Sequence, residues 1–166
     1  MLYLFDFDGT LVEDYMRRPD RAYFPAVPLP KRRAKIQTLI LRGDTCAIVT
    51  NQGGVAFGYV TEAQAWEKID SVFVPLGLAM QTVRSSGDPR PPLVYACFHH
   101  PTAPAPYNDP RECARRKPSP AMLLEAMQDH NAPRVGTLYV GDREEDEAAA
   151  QAAGISFQWA HIFFGE

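Results

Sequence analysis

The sequence predicts an α/β protein: an open, mainly parallel sheet with helices on both faces. Three observations carry that expectation. Short apolar runs of strand length alternate with longer segments of helical periodicity. That alternation implies parallel pairing through right-handed crossovers. At or just past the ends of three of these runs stand Asp6, Thr50 and Asp142, where ligands of open α/β sheets collect.

The elements follow in order. Leu2 to Phe7 reads as a buried first strand, and residues 11–28 are irregular, broken by Pro19, Pro25 and Pro28. A helix runs from about Leu29 to Arg42, with Pro30 suited to its first turn, Ile36, Leu39 and Ile40 on one face, and Gly43 to end it. Lys31, Arg32, Arg33 and Lys35 read as its solvated face. Thr45 to Thr50 is a second buried strand, and Asn51 to Val60 a Gly-rich loop. Thr61-x-x-Gln64 is a capping box, in which two side chains satisfy the first free N–H groups of a helix. Its apolar face includes Ala65, Ile69, Val72 and Leu76, and Pro75 kinks or ends it. Leu93 to Phe98 is a third strand, followed by a long Pro-rich loop from His99 to Lys117. Ser119 as N-cap and Pro120 in the first turn open a helix that fades at Asn131. Thr137 to Gly141 is a fourth strand, Asp142 caps an Ala-rich helix that stops at Gly154, and Ile155 to Trp159 is a fifth strand. The tail from Trp159 to Phe164 suits either a core or an interface.

Composition narrows the class. At 166 residues the chain is expected to form one domain, residues 1–166, with a substantial core. A net charge of −3 gives no electrostatic reason for strong nucleic-acid binding. No run is long and apolar enough to span a membrane. No charged segment precedes the first strand, so no signal peptide and a cytoplasmic location are expected. Three cysteines are too few for a disulfide framework.

Four pieces carry the chemistry: Asp6-x-Asp8-Gly9-Thr10, Thr50-Asn51-Gln52, Lys117-Pro118, and Gly141-Asp142-x-x-x-Asp146. Two carboxylates leaving a strand into a Gly-Thr turn can converge on one metal and one phosphoryl group. In this order and at these edges the four pieces resemble the haloacid dehalogenase superfamily of phosphotransferases and phosphatases. The resemblance covers nearly the whole chain and implies a three-layer, Rossmann-like fold. It implies Asp6 as the nucleophile that forms an aspartyl-phosphate, splitting a slow hydrolysis into two easier steps. Asp8 protonates the leaving oxygen and then deprotonates the attacking water. Thr50, Asn51 and Lys117 contact the phosphoryl group. Asp142, with the Asp6 carboxylate and the Asp8 backbone carbonyl, ligates Mg²⁺ in an all-oxygen shell. Asp146 supports Lys117 or a metal-bound water. The acidic residues around it, Glu144, Glu145 and Glu147, read as stabilisers of a helix N-terminus.

Cys97-Phe98-His99-His100-Pro101 followed by Cys113-Ala114-Arg115-Arg116-Lys117 resembles the zinc loop of the heptose bisphosphate and histidinol-phosphate phosphatases. Cys97, His99 and Cys113 supply three zinc ligands; Arg115 stands where the family pattern has a fourth, cysteine. A structural zinc wants four, and His100, Asp109 or water are the candidates; the other reading is a loop that has lost its zinc and is held by prolines and packing. Cys46 reads as a small core residue. Arg116, and with it Arg115, is a candidate for a second anionic group of the substrate. Arg17, Arg18 and Arg21 of the segment after Asp8 are weaker candidates. The spacing leaves no room for the cap domain that many relatives insert, so the site is expected to be open; a monomer is expected, with the oligomeric state left open by the sequence. The implied substrate is a small phosphorylated metabolite, such as a sugar phosphate or histidinol phosphate. The first and second motifs also resemble polynucleotide 3′-phosphatases, which would act on nucleic-acid ends. A non-catalytic phosphoryl-binding module is the third alternative.

Overall fold

The computed structural model describes residues 1–73, 75 and 92–166. Leu76, expected on a helix face, lies outside them. Five strands form one parallel sheet: β1 (Leu2–Phe5), β2 (Thr45–Asn51), β3 (Val94–Cys97), β4 (Thr137–Gly141) and β5 (Ser156–Trp159), in the order β3-β2-β1-β4-β5. The order reverses direction after β3, so β1 has β2 on one side and β4 on the other. The crevice opened there is the place where open α/β sheets bind ligands.

Alternation along β1 shows why both faces are covered. Leu2 and Leu4 join one apolar cluster, while Tyr3 and Phe5 join the other. The first face packs Met122, Leu123 and Ala126 of α5 (Ala121–Asp129) and Ala149, Ala150 and Ala153 of α6 (Glu144–Ala153). The second packs Ile36 and Leu39 of α1 (Pro30–Leu41), Ile69 and Val72 of α3 (Glu62–Phe73), and Ala160 and Phe163 of α7 (Ala160–Phe164). The tail is therefore core: the Phe163 ring meets that of Phe5 edge-on at 5.8 Å. Two short helical turns, α2 (Gly53–Ala56) and α4 (Pro110–Cys113), sit inside the Gly-rich and Pro-rich loops.

Local chemistry sets several boundaries. Gln64 N–H donates to Thr61 Oγ1 at 3.2 Å and Thr61 N–H to Gln64 Oε1 at 2.9 Å, closing the expected capping box of α3. α5 begins at Ala121, one turn position later than Ser119 as N-cap implies; Ser119 Oγ instead accepts from Ala121 N–H at 3.3 Å. Asp142 does not cap α6. Arg143 is its N-cap, and Asp146 reaches back to accept the Arg143 N–H at 3.1 Å. That frees the Asp142 carboxylate for the crevice. Arg32 corrects the solvated-face reading of α1. It is buried on the stripe of Ile36 and Leu39 and donates to the carbonyls of Gly9 and Thr10 at 2.9 and 3.0 Å. Those bonds tie α1 to the turn that carries Asp8.

Candidate active site

Strand register builds the centre of the crevice. Phe5 pairs with Val140, and Asp6 N–H donates to Val140 O at 2.9 Å, so the chain leaves β1 and β4 side by side. Asp6 and Asp142 emerge there together. Asp146, one helical turn beyond, joins them, and carboxylate oxygens of all three lie within 4.8 Å of one another.

Lys117 answers this charge from across the sheet. Its ammonium lies 2.7 Å from Asp6 Oδ1 and 2.6 Å from Asp146 Oδ1. It also donates to the Tyr139 hydroxyl at 2.8 Å and to Val49 O at 3.2 Å. The Tyr139 hydroxyl in turn donates to Asp146 at 2.9 Å. Lys117, Asp146 and Tyr139 are buried, so this is a fixed polar network and not a surface ion pair. Burial acts against the lysine charge, yet Asp6 and Asp146 outweigh it and raise the ammonium's pKa. For Asp6 burial wins. With Asp146 and Asp142 adding like charge, it is pushed up to about 7 despite Lys117. Asp142 also rises, chiefly through burial, against the pull of Arg143 and Arg17.

The Asp142 carboxylate is the exception to good pairing. Both of its oxygens are buried and accept no hydrogen bond. Arg17 Nη1 stands 3.1 Å from Oδ2, an ion pair whose angles do not make a hydrogen bond. A side chain at position 9 would put its Cβ 2.3 Å from Asp142 Oδ2, and Gly9 also holds φ +87°, where glycine is favoured. Gly9 thus leaves space against an unsatisfied carboxylate. An oxygen-lined pocket of this kind fits a hard divalent cation.

Asp8 is held at both oxygens. Lys68 Nζ lies 2.5 Å from Oδ1, and Gln52 Nε2 donates to Oδ2 at 2.9 Å. Gln52 Nε2 also donates to Thr50 Oγ1 at 2.9 Å, which links Asp8 to the second motif. The side-chain amide of Asn51 donates to Lys117 O and accepts from Lys117 N–H, both at 3.1 Å, so it fixes the lysine's backbone. A cavity of about 170 Å³ lies over these groups, lined by Asp6, Asp8, Gln52, Arg116, Lys117 and Arg143 among others.

Among the arginines, Arg116 lines that cavity and Arg115 does not. Arg115 donates to Ala96 O at 3.2 Å and to Glu125 at 2.9 Å, an anchor between β3 and α5. Arg17 reaches Asp142, whereas Arg18 pairs with Asp20. The sequence reading missed Lys68, Asp14 and Arg143. Arg143 donates to Asp14 Oδ2 at 2.8 Å, closing the segment after Asp8 against α6. Lys68 had a signal: it falls in the apolar stripe Ala65, Ile69, Val72, where a charge needs a partner.

The Cys/His loop behaves differently. Among the described residues, Asp6, Asp142 and Asp146 form the one group of three or more metal-ligating side chains; Cys97, His99 and Cys113 do not converge. The Cys97 thiol donates to the carbonyls of Glu112 and His99 at 3.5 and 3.7 Å, and burial raises its pKa. The His99 ring packs on Tyr107 at 5.4 Å, and His100 Nδ1 accepts from Thr102 N–H at 3.2 Å. Hydrogen bonds and ring contacts hold this loop. Cys46 is buried in the core, as its position in β2 implies.

The fold and the carboxylate–lysine cluster define a class: the chain belongs to the haloacid dehalogenase-like hydrolases, whose sequence profile matches residues 111–160. Within them it groups with phosphatases. It is 32% identical over 152 residues to the D-glycero-β-D-manno-heptose-1,7-bisphosphate 7-phosphatase of Pasteurella multocida, covering 90% of this chain and 75% of that one. The Yersinia pestis protein of the same name is 37% identical over 114 residues, covering 68% of this chain and 55% of that one. The chain thus spans little more than half the length of that relative. Among solved structures, the D,D-heptose 1,7-bisphosphate phosphatase of B. bronchiseptica, complexed with magnesium and phosphate, superimposes with a TM-score of 0.71. It has 25% identity, with 94% of this chain and 78% of that one covered. A HAD-like phosphatase from Mesorhizobium loti gives 0.69 at 29% identity, with 93% and 68% covered. Among the described residues no helix is long and apolar enough to cross a membrane.

Proposed function

We propose that this chain is a Mg²⁺-dependent phosphatase of a small sugar phosphate, with the 7-phosphate of a heptose 1,7-bisphosphate as the leading candidate. The observation that carries the reading is the meeting of Asp6, Lys117 and an unsatisfied Asp142 carboxylate at the ends of β1 and β4. The names of the relatives supply the substrate class.

Asp6, Asp142 and the Asp8 backbone carbonyl are the groups that would hold the cation. Bound Mg²⁺ would neutralise phosphate charge and favour the ionised form of Asp6. The Asp6 carboxylate attacks phosphorus, and the P–O bond to the sugar breaks. Asp8 gives its proton to the departing sugar oxygen. A water then attacks the aspartyl-phosphate and surrenders a proton to Asp8, which releases inorganic phosphate and restores Asp6. Lys117, fixed by Asp146 and Tyr139, opposes the charge on the phosphoryl oxygens without needing to move. Thr50 presents its hydroxyl to the same oxygens. Arg116, on the cavity wall, suits bidentate contact with a second phosphate.

Phosphate release measured with and without Mg²⁺ tests this reading. The panel is heptose 1,7-bisphosphate, histidinol phosphate, nucleotides and a 3′-phosphorylated oligonucleotide. Mg²⁺-dependent release with preference for the sugar bisphosphate is expected. Preference for the oligonucleotide would replace the substrate, and no release from any compound would overturn the catalytic reading.

A further inference from the structure

Lys68 is the charged member of an apolar stripe. Ala65, Lys68, Ile69 and Val72 follow the i, i+3, i+4, i+7 spacing of one helix face, and all four are buried, Lys68 to 1% exposure. An uncharged side chain of similar length would fill that stripe at no desolvation cost, so the core does not call for a cation here. What the cation meets is the motif aspartate. Its Nζ lies 2.5 Å from Asp8 Oδ1, and among the described residues Asp8 is its one carboxylate partner.

The rest of its shell is aromatic. Nζ stands 4.2 Å from the ring centre of Tyr23, 4.7 Å from that of Tyr15 and 5.8 Å from that of Phe7. Ring faces attract a cation and carry no competing acceptor to draw it from Asp8. Tyr15 and Tyr23 belong to the segment after Asp8 and pack edge-on at 5.0 Å. Tyr23 also donates to Gln52 Oε1 at 3.2 Å, and Gln52 holds the other oxygen of Asp8. Contacts thus run in a closed circuit from Lys68 to Asp8, Gln52, Tyr23 and back. The Asp8 carboxylate cannot rotate without breaking one of them.

We propose that Lys68 is a positioning residue for Asp8, aiming its carboxyl group at the leaving oxygen and seating Tyr15 and Tyr23 beside it. The inference rests on Asp8 as the acid–base group. Lys68 at Oδ1 and Gln52 at Oδ2 fix the plane of the carboxyl group, which gives its proton to the sugar alkoxide as the P–O bond breaks and regains one from water.

Leaving-group dependence separates aiming from mere packing. A sugar alkoxide needs protonation to depart, whereas p-nitrophenolate departs without it. Lys68→Met is expected to lower kcat on heptose 1,7-bisphosphate about 10- to 100-fold. Its effect on the pre-steady-state release of p-nitrophenolate from p-nitrophenyl phosphate, which precedes the water attack that uses Asp8 again, is expected to stay within about threefold, since no acid is required for that step. Asp8→Asn should show the same selectivity, and adding Lys68→Met to it should cost nothing further, because the two act as one unit. Lys68→Arg should recover part of the sugar-phosphate rate. Thermal unfolding checks each chain, and Lys68→Leu replaces the Met variant should that one fail to fold. Equal losses on both esters, or a full extra loss in the Asp8→Asn background, would overturn the proposal for Lys68 alone. If Asp8→Asn itself fails to discriminate between the esters, the acid–base assignment falls, and this inference with it.

Discussion

The rim at the ends of β1 and β4 and the loop from Cys97 to Arg116 both carry side chains of metal-binding type in a suggestive order, yet only the rim gathers them. At the rim, two adjacent parallel strands in fixed register deliver Asp6 and Asp142 to one point, and α6 adds Asp146. In the loop, Cys97 ends a strand, His99 turns toward Tyr107 and Cys113 ends a short helix. Nothing in backbone hydrogen bonding forces those three together. Ligand-like spacing is informative where secondary structure fixes the geometry, and weak where a loop must supply it.

The sharpest way to break this contrast is Asp6→Asn. If the rim is the reacting centre, phosphate release falls by about 10⁴-fold or more, with the fold retained by circular dichroism. Lys117→Met comes next. It leaves Asp6 and Asp146 facing each other in a buried site without their cation, a loss of about 3–5 kcal/mol in chemical denaturation as well as loss of turnover. Gly9→Ala should follow. The new Cβ collides with Asp142 and φ is unfavourable, so the Mg²⁺ concentration for half-maximal activity should rise, with a stability loss of about 1–2 kcal/mol.

A smaller effect is expected in the pH dependence of the metal-free chain. Burial lifts Asp6 from 3.8 in the reference state to about 7 in the fold. The unfolded chain therefore releases this proton first, and the contribution of Asp6 to stability is present below about pH 4 and lost as pH rises through about 7. Denaturation midpoints without metal should decline across that window, and Mg²⁺ should restore them at its upper end. A flat profile would show that Lys117 keeps Asp6 ionised throughout. The smallest effect belongs to the loop: Cys113→Ser should change stability by no more than about 0.5 kcal/mol and leave turnover within twofold, roughly the range of surface substitutions. A large loss, or stoichiometric zinc by elemental analysis of the parent chain, would erase the distinction between the two regions.

Much of the molecule was legible from local pattern. Apolar runs bounded by Gly and Pro located all five strands, and the Thr61–Gln64 box located the start of α3, because these signals act within a few residues. Asp6, Thr50 and Asp142 were placed the same way, at or just past the ends of β1, β2 and β4. Arg32 and Lys68 were harder. Both are cations on apolar stripes, and their partners lie far away in sequence: 22, 23 and 134 residues for Arg32, and 60 for Lys68. The partners of Asn51 and Arg115 were hidden for the same reason: each contacts a polar group on distant backbone, that of Lys117 and of Ala96.

The sequence by itself determined the alternation of strands and helices, the parallel sheet and the order of the four motifs, since periodicity and turn chemistry are short-range. Tertiary structure alone decided which charges pair. It left Asp142 beside Gly9 with an ion pair to Arg17 but no hydrogen bond, locked Lys117 between two carboxylates, clamped Asp8 between Lys68 and Gln52, and kept the Cys/His loop from closing. The reason is range: a buried charge is stable only next to its partner, and that neighbour is chosen by strand register and helix packing across the whole chain.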